Sequence, residues 1–202
     1  MSIDKNIPIY QIVIPGNEIS EYYSEKSIYS WNELGYNNIH KVDAITPANL
    51  PDFIKFSDAR VYTSKRTREW IPEEKAICYS HYKCWSLIKE PSIIMEHDCM
   101  LYRDPPDILL KRNLWSFGMT DRQRNLAALG YVIKKSGARQ LMRGCREESL
   151  KGPVDGLIHH YQPWYKSTKS GKLSDGYAAK YVCAQHYINA DVGTTKPKAK
   201  KP

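Results

Sequence analysis

In SIIMEHDCML, residues 92–101, an apolar run stops at Glu96, His97 and Asp98 and then turns apolar again. Side chains alternate across an extended strand, so Glu96 and Asp98 project to one side, and His97 to the other, if that conformation continues. Two carboxylates converging where a strand leaves its sheet have the chemistry to hold a hard divalent cation, manganese or magnesium, and through it the phosphates of a nucleotide. The same spacing also fits a pair of solvated loop acids.

A site of that kind needs a strand to deliver it and helices to cover the sheet. IPIYQIVI at 7–14 is a short β-rich apolar run closed by Pro15 and Gly16, which predicts a buried strand and a turn. From Ser20 to Leu34 polar residues alternate with Tyr23, Ile28, Trp31 and Leu34, and Gly35 follows, which predicts a helix and its stop. NIHKVDAI at 38–45 predicts a second strand. Residues 46–71 are polar and irregular and predict a long functional loop. Pro72 with Glu73 and Glu74 makes a helix start, and Ile77, Cys84, Trp85 and Ile88 fall on one face as far as Glu90 and Pro91. Residues 92–95 then form a strand reached by a crossover. LWSFGMT and LAALGYVI supply further apolar segments, and Ser136 caps a helix through Met142. The expected class is α/β, with a mainly parallel central sheet flanked by helices and the carboxyl ends of the strands as the ligand edge.

At 202 residues the chain suits one domain, expected over 1–193, and TTKPKAKKP with its four lysines and two prolines is expected to be a solvated, disordered basic tail over 194–202. No apolar stretch is long enough to span a bilayer, and MSIDKNIPIY lacks the pattern of a secretory signal. Cys78, Cys84, Cys99, Cys145 and Cys183 fit neither a zinc pattern nor a disulfide framework, which predicts buried reduced thiols and a cytoplasmic location. A net charge of +8 favours phosphates, nucleotides, nucleic acid or an anionic surface as partners.

Taken in order, these segments resemble glycosyltransferase family 25, which includes lipopolysaccharide glycosyltransferases. IYQIVI is similar to the family's opening strand, and KVDAIT to its second strand with an Asp-Ala pair. EKAICYSHYKCWSLI matches its signature helix with a Ser-His pair, and IIMEHDCML its acidic strand end. GYVIKKSGARQLM and PVDGLI resemble two later segments. The resemblance implies a single GT-A type nucleotide-sugar-binding domain that inverts configuration at the sugar carbon. It implies a cation at Glu96 and Asp98, with His186 completing the metal shell, and Asp155 as the base. Ser80 and His81 would face the donor, with Asp43, Ala44 and Gln185 as further donor contacts. A cap role for Asp155, a backbone-satisfied core role for His81 and a strand-terminating role for Asp43 fit the same positions. Two features differ from the family pattern: His97 stands where an acid is usual, and PGNEISEYYSEK lacks the expected arginines.

Basic residues bear on the acceptor. Arg60, Lys65, Arg66 and Arg68 lie among Tyr62 and Trp70, and Lys134, Lys135, Arg139, Arg143 and Arg146 form a second cluster. Converging beside the site, they would track a phosphate backbone while Tyr62, Trp70 or Trp164 stacks on an extruded base. Some bacteriophage enzymes that glycosylate hydroxymethylated bases in DNA resemble this family, so modified DNA is the expected acceptor, and the setting would then be the host cytoplasm. A lipopolysaccharide or other glycan is the alternative, and a non-catalytic nucleic-acid binding protein on a transferase fold is the rival from another class. His159 and His160 beside Tyr161, Trp164 and Tyr165 fit an acceptor platform or ordinary core packing.

Overall fold

Alternation along the first strand sets up the two faces of the molecule. The computed structural model describes residues 2–58, 60–63, 66–105, 113–116, 128–147, 149–150, 152–161 and 183–185. In β1 (Ile9–Val13), Ile9 and Gln11 face one layer, and Tyr10 and Ile12 the other. Pro15 and Gly16 turn the chain, with Gly16 at φ 69°, into α1 (Glu18–Glu33). The Asn17 side chain accepts the Ser20 N–H at 2.9 Å, and Glu18 and Glu21 sit in the first turn, where the helix dipole favours them. Gly35, at φ 85°, ends the helix as expected, its N–H donating to the Asn32 carbonyl at 2.8 Å.

The buried face of α1 is polar. Ser20, Ser24, Ser27 and Trp31 face the sheet, whereas Ile19, Tyr22 and Tyr29 are exposed. Small hydroxyl side chains let the helix lie close and bond to what is beneath it. Ser24 donates to Gln11 Oε1 at 2.6 Å, and Ser27 and the Trp31 indole both donate to the Cys99 carbonyl, at 2.7 and 2.9 Å.

β2 (Ile39–Asp43) runs parallel to β1 with Val13 opposite Asp43. The segment read from sequence as irregular contains a 3-10 turn at Pro47–Asn49 and a hairpin of β3 (Arg60–Thr63) and β4 (Arg66–Arg68). α2 (Pro72–Leu87) starts on Pro72 and ends before the expected Glu90. Then come β5 (Ser92–Glu96), β6 (Cys99–Leu101), β7 (Leu114–Ser116), β8 (Gly130–Ile133), α3 (Lys135–Glu147), α4 (Val154–Tyr161) and β9 (Cys183–Gln185). α3 begins before Ser136 and runs past Met142. The Ser136 hydroxyl does not cap it but donates to Asn113 Oδ1 at 2.9 Å.

The main sheet has the order β2-β1-β5-β8-β7, and β6 pairs with β9 separately. β1 is parallel to β2 and to β5, while β8 is antiparallel to β5 and β7 antiparallel to β8. The class is α/β as expected, but the sheet is mixed rather than mainly parallel. β7 and β8 pair antiparallel, a geometry that needs no crossover, whereas β5 lies parallel to β1 and is reached by the crossover expected there.

Two apolar layers result. Ile9, Ile93, Met95 and Val132 pack with Trp31 and Tyr36 on the α1 side. Ile12, Ile94, Tyr131 and Ile133 pack with Tyr79, Tyr82 and Trp85 of α2 and with Leu141 and Ile158 on the other. Cys78, Cys84, Cys99 and Cys145 are buried thiols. Among the described residues no helix is long and apolar enough to cross a membrane. The tail expected over 194–202 lies outside the described residues.

Candidate active site at the carboxyl end of β5

Strand alternation does not carry through the acidic triplet. β5 ends at Glu96, and His97 and Asp98 form a turn into β6. Ile93 and Met95 face α1 while Ile94 faces α2, so Glu96 continues the α2 side. The turn still brings the two acids together, because Asp98 is 3% exposed and its charge acts on Glu96. It is held from below: Gln11 donates to the His97 carbonyl at 3.4 Å, beside the α1 bonds to Cys99.

Above Glu96 lies a buried hydrogen-bonded chain from α2 and β8. His81 Nδ1 is 2.8 Å from the Tyr131 hydroxyl, which receives the Trp85 indole N–H at 2.8 Å. His81 Nε2 is 3.6 Å from Glu96 Oε1. Burial pulls the His81 pKa down to about 4, opposed by the Asp155 carboxylate, so the ring is neutral at neutral pH. Burial also drives the Tyr131 phenol well above its ordinary range.

Asp155 completes the cluster from the first turn of α4, its Oδ1 accepting the Ala128 N–H at 2.8 Å. The Glu96 pKa rises to about 8, first because it is desolvated and then because Asp98 and Asp155 repel its charge, with His97 pulling the other way. Crowded acids that hold a proton at neutral pH are a setting a divalent cation would relieve. Among the described residues no three His, Cys, Asp or Glu side chains are placed to hold a metal together. Two carboxylates suffice where substrate phosphates supply the remaining ligands, so Glu96 and Asp98 fit such an ion.

At the ends of β1 and β2 a cleft of about 470 Å³ is lined by Val13, Pro15, Glu18, Glu21, Tyr22, Glu25, Lys41 and Asp43. Asp43 is exposed there, while Ala44 is buried and its N–H bonds the Val13 carbonyl at 2.8 Å. Ser80 is buried in α2, where its hydroxyl accepts the Ile45 N–H and donates to the Ala76 carbonyl, each at 2.8 Å. That hydroxyl clamps the exit of β2 to α2, and Lys83 adds a bond to the Asp43 carbonyl at 2.8 Å.

The register of the β3–β4 hairpin sets Arg60 opposite Arg68, with Arg66 opposite Thr63. Trp70 is partly buried against Phe56, ring centroids 4.9 Å apart. On α3, Lys135, Arg139, Arg143 and Arg146 are exposed and follow one another at helical spacing. Gln185 lies in β9 opposite Cys99. Trp164 and His186 lie outside the described residues. Sequence reasoning does not single out Tyr131 or Gln11 and places Trp85 only on the packing face of its helix; a polar atom in each that must find a partner when buried is the available signal. No protein family matches the chain, and no curated protein matches it either.

Proposed function

We propose that the protein is an inverting glycosyltransferase that moves a sugar from a nucleotide-diphosphate donor to a hydroxyl acceptor. The observation that carries this reading is the convergence of Glu96, Asp98 and Asp155 with a neutral His81 at the carboxyl end of β5, beside the ends of β1 and β2. Ligands of open α/β sheets collect at that edge. Glu96 and Asp98 would hold a manganese or magnesium ion, which when bound neutralises charge on the diphosphate leaving group. Asp155, oriented by the Ala128 N–H, takes the proton of the acceptor hydroxyl with its second oxygen. The acceptor oxygen then bonds to the anomeric carbon from the face opposite the leaving diphosphate. The bond from that carbon to the diphosphate oxygen breaks, and its electron pair leaves with the nucleotide. Asp43 and Ala44, fixed by Ser80 and Lys83, line the approach for the donor, and Gln185 and His186 belong to the same proposed shell.

The acceptor we favour is a hydroxymethylated base in DNA. The exposed basic row along α3 and the facing arginine positions of the β3–β4 hairpin support a polyanionic partner. Trp70 and Trp164 are the stacking residues in this reading. Incubating the protein and a panel of nucleotide sugars with hydroxymethylated duplex, unmodified duplex and lipopolysaccharide, followed by mass spectrometry, tests it. Sugar on the hydroxymethylated duplex alone is the expected result. Sugar only on the glycan would end the DNA assignment. With no transfer and no donor hydrolysis in manganese or magnesium, the protein would be a binding module.

A further inference from the structure

The direction of the buried hydrogen bonds above Glu96 fixes more than the position of His81. An indole nitrogen is a donor only, so Trp85 Nε1 gives its proton to the Tyr131 oxygen at 2.8 Å. The phenol keeps one proton of its own, and its other close partner is His81 Nδ1, also at 2.8 Å. Were Nδ1 to donate as well, the phenol proton would be left without an acceptor in a site where Tyr131 is 0% exposed, a costly arrangement. Nδ1 therefore accepts, and the single ring proton of neutral His81 resides on Nε2. That nitrogen has no hydrogen-bond partner among the described residues, belongs to a side chain 1% exposed, and looks across 3.6 Å to Glu96 Oε1.

We infer that Tyr131 and Trp85 are positioning residues that lock His81 as the Nε2–H tautomer, so that a neutral N–H donor faces Glu96 and is in place to orient its carboxylate once a cation displaces the Glu96 proton. A neutral donor suits that place. It steadies one carboxylate oxygen without the positive charge that would compete with a cation for Glu96, and second-layer donors of this kind set the angle of a ligating carboxylate. Only the purpose of the N–H rests on the transferase reading. The tautomer itself is a property of the unliganded chain.

Ring-nitrogen correlation spectra of uniformly ¹⁵N-labelled full-length protein at neutral pH report the tautomer without donor, metal or turnover, and His81→Gln assigns the resonance by its disappearance. The expected wild-type pattern is a protonated Nε2, a bare Nδ1, and a coupling from the Tyr131 hydroxyl proton to Nδ1 across the hydrogen bond. In Tyr131→Phe the Nε2–H form should fall from nearly the whole population to a mixture with Nδ1–H, with helical circular dichroism retained. A wild-type ring carrying its proton on Nδ1, or on both nitrogens, overturns the inference, and so does an unchanged tautomer in a folded Tyr131→Phe. Should that variant fail to fold, the wild-type coupling decides: its absence is contrary to the inference. A failed transferase assay with the expected tautomer would remove the proposed reaction and leave this assignment standing.

Discussion

Asp155 Oδ1 accepts the backbone N–H of Ala128 at 2.8 Å, which ties the first turn of α4 to the turn that leads into β8. One carboxylate oxygen is thus structural while the group as a whole is the proposed base. Asparagine keeps that acceptor and loses the basicity. Asp155→Asn should lower transfer by roughly 10²- to 10⁴-fold with little change in denaturation midpoint. Asp155→Ala should in addition cost about 1–2 kcal/mol by leaving the Ala128 N–H without its partner. Urea titration and initial rates on the two variants separate the contributions.

Glu96 and His81 impose opposite pH dependences on the metal-free protein. The Glu96 pKa is raised to about 8, so between its ordinary value and 8 the folded chain holds a proton the unfolded chain releases, and stability falls as pH rises. His81 is lowered to about 4, so the unfolded chain binds the extra proton below its ordinary value, and stability falls as pH drops from 6.5 towards 4. The two effects offset one another in the acidic range, leaving a decline above pH 6.5. Glu96→Gln should remove that decline, a gain of about 1–2 kcal/mol at pH 8 relative to wild type. Urea unfolding of both proteins across pH 5 to about 8.5 measures it.

Ser80 joins α2 to the backbone leaving β2 through the Ile45 N–H. Ser80→Ala should cost about 1–2 kcal/mol through the unsatisfied N–H. By loosening Asp43 and Ala44 it should also raise the donor KM more than it lowers kcat. Steady-state kinetics with varied donor read the split.

Gly137 lies in α3 where the helix crosses the chain entering β7, and a Cβ there would come 2.3 Å from the Asn113 carbonyl oxygen. Glycine to alanine within a helix ordinarily stabilises. Here Gly137→Ala should destabilise by about 1–3 kcal/mol, because a backbone atom must move. Thermal unfolding followed by circular dichroism gives the sign.

How much of this was legible in the sequence depended on whether apolar pattern and burial agree. They agree in β1, β2 and β5, and Pro72, Gly16 and Gly35 stand at the boundaries their backbone chemistry predicts. They agree only in part in α1, where the expected Trp31 is buried and Leu34 packs against the core, but Ser20, Ser24 and Ser27 fill the rest of the buried face, which hydrophobic spacing does not mark. The acidic triplet shows a second failure of local rules. Alternation is a property of extended chain, and it ends at Glu96; tertiary bonds from Gln11, Ser27 and Trp31 to the His97 and Cys99 carbonyls hold the turn that carries Asp98. The meeting of Asp155 with Glu96, almost sixty positions apart, depends on the antiparallel pairing of β8, which no local pattern carries. The Tyr131 link is of the same kind, a polar atom hidden in an apolar strand.

Binding of manganese together with a panel of nucleoside diphosphates, followed by titration calorimetry, addresses the acid pair most directly. The wild-type protein should bind at least one of these nucleotides only when the ion is present, with protons released as Glu96 ionises, and Asp98→Asn should weaken that binding by roughly tenfold or more. Equal affinity with and without manganese, or an Asp98→Asn protein that binds as well as wild type, would contradict the account.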